Sequence, residues 1–160
     1  MRHIRIELKW ALIFAGVTLL WMLLERVAGL HDQHIHLHMV ITNLFAIPAI
    51  VMMTLALREK RRVFFDGSMS YLQGVKAGAL VSLFIALLSP GTQWVTSKVV
   101  TPTYFSNMIA YSVEAGHYET EAAAAAYFNL GTYMVQSAAG ALIMGLLTTA
   151  VVMIFLRSRS

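Results

Sequence analysis

Apolar and polar positions fall in long blocks along this chain rather than alternating at short period. A helix rises about 1.5 Å per residue, so about 20 apolar residues cross a hydrocarbon core of about 30 Å. Four stretches reach that length, at about 10–30, 37–57, 71–93 and 130–156. The first carries Glu25 and Arg26 near its end, the second Asn43 and Pro48, and the third Lys76 near its start. The fourth holds no charge. The pattern predicts an all-α polytopic membrane protein: one membrane domain over 1–160 and four transmembrane helices in a bundle.

The segment 97–129 is too polar to span and too long for a simple turn. Thr101-Pro102 reads as a helix N-cap followed by proline at the first helical position. Phe105, Met108, Ile109 and Val113 recur at helical spacing, and Gly116 is a natural stop. After Glu119 and Glu121, the run Ala122 to Ala126 is a strong helix former with acids at its N-terminal end. The expectation is an external helical hairpin between helices three and four, with Tyr104, Phe105, Tyr127 and Phe128 at the headgroup level.

Inside the spans, Pro48 removes a backbone hydrogen bond to the carbonyl of Leu44 and should kink helix two. Gly74 and Gly78 form a GxxxG pattern, and Ser137, Ala141 and Gly145 place a small residue at every fourth position of helix four. Both patterns let backbones approach closely. Packing within the bundle is the favoured use, a dimer interface the alternative.

Composition agrees with a bilayer as solvent. Hydrophobic residues are 58% of the chain and charged residues 12%, against about 25% charged in soluble domains. The net charge of +4 sits beside the apolar stretches, in Arg2, Arg5 and Lys9, then Arg58, Lys60, Arg61 and Arg62, then Arg157 and Arg159. That placement argues against a nucleic-acid partner and for topology: both termini face the cytoplasm, where Lys and Arg gather. Only Arg26 and Lys98 fall toward the other side. The first apolar run exceeds the usual signal-peptide core of about 7–15 residues, and is expected to remain as an anchor. The absence of cysteine excludes disulfides and thiolate chemistry.

Candidate chemistry concentrates in Glu25-Arg26 and in His31, Asp32, His34, His36 and His38. If helix two begins early, His31, His34 and His38 are spaced i, i+3 and i+7 near one face, a candidate set for zinc, copper or nickel. If the segment is extended, His34, His36 and His38 share a side instead. The ordinary use of these histidines is to cap helix ends and occupy the wet interface. A pH-sensing or proton-relay role is a third reading. By depth, Glu25, Asn43 and Gln136 fall in the same half of the membrane, with Gln93 near. They outline an outward-facing polar pocket, against which stands a set of ordinary interhelical hydrogen bonds. No P-loop, GxSxG, HExxH or GxGxxG occurs, so no catalytic residue is assigned and an enzyme is not expected.

A whole-chain resemblance adds to this. Lys9-Trp10 opening helix one, the basic run Arg58 to Arg62, Gly67-Ser68-Met69-Ser70-Tyr71, Gly74-Val75-Lys76-Ala77-Gly78 and Thr101-Pro102-Thr103-Tyr104-Phe105 follow in the order of the domain of unknown function 4199 family. The chain resembles these small bacterial membrane proteins over nearly its whole length. The resemblance implies four helices in the bacterial inner membrane and carries no activity, cofactor or catalytic residue. The expected function is therefore a non-catalytic binding or accessory subunit, without a cofactor, partnered by the bilayer and by a homo-oligomer or larger membrane complex. The alternative is a small oligomeric transporter or sensor whose outward pocket handles a metal ion, proton or small solute.

Overall fold

A computed structural model describes residues 4–158; Arg2 and Arg159 of the basic clusters lie outside the described residues. The helices are α1 (Arg5–Val27), α2 (Ile35–Ile41), α3 (Ala46–Val63), α4 (Tyr71–Val95), α5 (Tyr104–Glu114), α6 (Glu121–Tyr127) and α7 (Leu130–Leu156). A 3₁₀ turn, Thr42–Phe45, joins α2 to α3, and a π-helical turn, Thr96–Val100, extends α4. Four helical stretches are long and apolar enough to cross a membrane: Arg5–Val27, Ile35–Val63, Tyr71–Val100 and Glu121–Leu156, the last broken at Phe128 and Asn129 between α6 and α7. Their outer faces are apolar, with Phe155 80% and Leu87 68% exposed, as a lipid-facing surface requires.

Local chemistry sets where each helix starts and stops. Gly29, at φ +76°, ends α1 in a Schellman motif: Leu30 N–H donates to the Glu25 carbonyl and Gly29 N–H to that of Arg26, both at 2.9 Å. The first helix therefore ends at Val27, three residues short of the expected end. The second span starts at Ile35 and tightens into its 3₁₀ turn just before Pro48, which has no N–H to offer the Leu44 carbonyl; that carbonyl accepts a backbone N–H at the end of the turn instead. Ser70 opens α4 through a capping box with Gln73. Downstream, α4 runs through Pro90 to Val95, close to the expected end at about 93. Hydroxyls bond to the backbone around the proline, Ser89 Oγ to the Ile85 carbonyl and Thr92 Oγ1 to that of Ser89.

One sequence expectation fails at α5. Thr101 does not cap it; its N–H donates to the Thr96 carbonyl at 2.8 Å and closes the π turn. The helix starts at Tyr104 behind Thr103, and Gly116, at φ +73°, follows its end. The buried face is Tyr104, Met108 and Ser112, rotated by one residue from the apolar series Phe105, Met108, Ile109 and Val113. Tyr104, expected at the headgroup level, is only 6% exposed.

The central helix is α4, which packs against α1, α3 and α7. The α4–α7 pair is antiparallel and very close. A Cβ on Gly74 would meet Met153, one on Gly78 would come within 2.2 Å of Thr149 Cγ2, and one on Gly145 within 2.3 Å of Ser82 Oγ. Every step of four residues along α4 is thus matched by a step of four back along α7. The GxxxG pattern and Gly145 are used inside the chain. At the basic end, Lys60 pairs with Glu7 at 2.7 Å, both side chains buried, and Lys9 with Glu59 at 2.5 Å. Trp10 Nε1 also donates to Glu59, and Arg61 Nη1 to the Leu156 carbonyl of α7. The basic run therefore ties α3 to α1 and α7.

Candidate functional site

The opposite end of the bundle gathers the polar residues. Glu25 lies one turn from the end of α1 and is 3% exposed. The Schellman turn sends the chain back beneath it and puts His31 at its side. Three residues of turn then lead to α2, whose first turn brings His38 to the same place. His31 Nε2 is 3.2 Å and His38 Nδ1 3.4 Å from Glu25 Oε2. The other oxygen, Oε1, accepts from Trp21 Nε1 at 2.5 Å.

Aromatic packing fixes the two imidazoles. Their ring centroids are 5.1 Å apart, and Tyr104 stacks edge-on against both, at 5.2 Å from His31 and 5.1 Å from His38. Asn107 Nδ2 donates to the His31 carbonyl at 2.9 Å and ties α5 to the turn. Burial, the Tyr133 hydroxyl 3.5 Å away and the Glu25 carboxylate all raise the Tyr104 pKa, so its phenol stays protonated at physiological pH. The neighbouring Arg26 turns away from the carboxylate and donates to the Val100 carbonyl at the end of the π turn.

Above this cluster lies a cavity of about 750 Å³. All four spans contribute to it, together with α5 and α6. Its polar wall includes His31, His38, Asn43, Gln93 and Gln136, and its aromatic wall includes Tyr104, Tyr118, Tyr127, Phe128 and Tyr133. Among the described residues, no lysine or arginine lines it.

The structure sorts the sequence candidates. Asn43 and Gln136 line the cavity, whereas Glu25 sits behind the two histidines. The extended alternative for residues 34–38 fails, because 35–41 is helical. The helical alternative brings His31 and His38 together but not His34. Residues 28–34 form turns, so His34 precedes α2 and is exposed beside His36, their rings 6.3 Å apart. The three-residue group is therefore Glu25, His31 and His38, with donor atoms within 4.8 Å of one another.

Sequence reasoning missed Trp21, Tyr104 and Asn107. Trp21 carried a usable signal, since it stands one helical turn before Glu25 on the same face. Tyr104 and Asn107 carried none; their roles depend on how α5 docks.

A family model described as protein of unknown function (DUF4199) matches residues 9–158. The chain belongs to this family. The match runs from the second turn of α1 to just beyond the end of α7, so cavity and cluster both lie within the family domain. No curated protein and no solved structure matches the chain.

Proposed function

We propose that this family member is a non-catalytic binding protein of the bacterial inner membrane that holds a small solute in an outward-facing pocket. The observation that carries the reading is the cavity of about 750 Å³ bordered by His31 and His38, with the buried Glu25 carboxylate behind them. Intramembrane ionisable groups are costly and collect where a ligand or ion is handled. A wall of tyrosines and carboxamides without lysine or arginine, above a carboxylate, suits a neutral or cationic polar solute. It repels an anion.

Orientation rests on the basic residues. Arg58, Arg61 and Arg62 lie at the end of the bundle opposite the cavity, and the positive-inside rule puts that end, with both termini, in the cytoplasm. The paired helices α5 and α6 then form an external hairpin roofing the cavity. Four helices are few for a complete permeation path, so a transport role requires an oligomer or a larger membrane complex.

Native mass spectrometry of protein released gently from membranes tests the reading. The wild type should carry a reproducible small-molecule adduct, and Ser112→Trp, which fills the cavity from α5, should lose it while staying folded. A folded wild type without an adduct, or an adduct unchanged in Ser112→Trp, would sink the proposal.

A further inference from the structure

The geometry points to Glu25, His31 and His38 as a site for one divalent transition-metal cation of the zinc class, an inference that rests on the cavity being a binding site. Three observations converge on it. The first is charge. Among the described residues the ion-pair partners of the buried Glu25 carboxylate are His31 and His38, and Arg26 is spent on the Val100 carbonyl. A carboxylate 3% exposed is expensive without a full cation beside it.

The second is spacing. Zinc bonds of about 2.0–2.2 Å to nitrogen and oxygen in a tetrahedral shell put neighbouring donors about 3.3 Å apart. Glu25 Oε2 stands 3.2 and 3.4 Å from the two ring nitrogens. The third is satisfaction. His38 Nδ1 is buried 3.4 Å from the carboxylate oxygen without a well-formed hydrogen bond. A buried ring nitrogen aimed into the cluster and left without a partner is a candidate metal ligand.

The surroundings hold the donors in place as metal sites require. Trp21 locks Oε1, Asn107 holds the His31 backbone and Tyr104 braces both rings. Both histidines border the cavity, so a fourth position is open to water or solute. Two imidazoles and one carboxylate favour zinc, cobalt, nickel or copper over magnesium and calcium, which prefer oxygen shells. A cation here would accept an electron pair from a neutral polar solute in the cavity.

The test is a cobalt(II) titration of the full chain in detergent micelles, read by visible d–d absorption and by competition with zinc. Saturable uptake of one ion per chain is expected, displaced by zinc and weakened at least about 10-fold in His38→Ala and Glu25→Gln. His34→Ala and His36→Ala should bind as wild type. Should Glu25→Gln not fold, the wild type alone still decides, because zinc must raise its melting temperature. A folded wild type with no cobalt spectrum and no zinc-dependent rise would overturn the site, as would uptake lost in His34→Ala but kept in His38→Ala. Absent cobalt uptake with a solute adduct retained overturns the cation site alone. Cobalt uptake by a protein that never carries a solute supports the site and overturns only the solute reading.

Discussion

Trp21 donates its indole N–H to Oε1 of Glu25 at 2.5 Å, one helical turn away, and so leaves Oε2 to the two histidines. The tryptophan decides which carboxylate oxygen faces the two histidines. Trp21→Phe keeps the aromatic volume and removes the donor. A lost hydrogen bond to a buried charge should cost about 1.5–3 kcal/mol, seen as a lower melting temperature in micelles. Unchanged stability would show that the indole bond contributes nothing.

The turn after α1 is as important as the residues it delivers. Gly29 takes a left-handed conformation at φ +76°, which costs a side-chain-bearing residue about 1–2 kcal/mol. An added Cβ would also press on the Gln33 side chain. Gly29→Ala should lower stability by that amount and, by moving His31, weaken cobalt binding, while circular dichroism shows the helix content kept.

Glycines in the α4–α7 seam should differ sharply from those on its outside. Gly78→Ala drives a Cβ to 2.2 Å from Thr149 and should destabilise by about 1–3 kcal/mol. Gly140→Ala, also in a span but with open space around its Cβ position, should fall within about 0.5 kcal/mol of wild type. Equal melting temperatures for the two variants would contradict the seam.

At the other end, Glu7 and Lys60 form a buried pair at 2.7 Å. Breaking it from one side, with Glu7→Gln or Lys60→Met, should cost about 3–5 kcal/mol, whereas replacing both by Leu and Met should restore much of that loss. A double-mutant cycle in thermal unfolding reads the coupling directly.

The four spans could be read from the sequence because length and apolarity alone define them. The small residues Gly74, Gly78 and Gly145 likewise announced a close helix contact, though not their partners. The helix ends were less legible: Gly29 stops α1 early by φ, and a π turn carries the third span on to Val100, neither of which an apolar count detects. Half the site was visible as a concentration of histidines next to Glu25. Choosing His31 and His38 over His34 required knowing that residues 28–34 turn before α2 begins. Tyr104 and Asn107 were illegible, since the face α5 buries is polar and aromatic rather than its most apolar one.

The account stands most directly on the polar cavity opening to the outside, and thiol accessibility in intact cells measures that. The chain has no cysteine, so single-cysteine variants label without background. A small membrane-impermeant maleimide should label Gln136→Cys in the cavity and Glu119→Cys in the α5–α6 connection from outside, and Arg62→Cys only after permeabilisation. Labelling of Arg62→Cys in intact cells, with Gln136→Cys reached only after permeabilisation, would place the cavity in the cytoplasm and contradict the account.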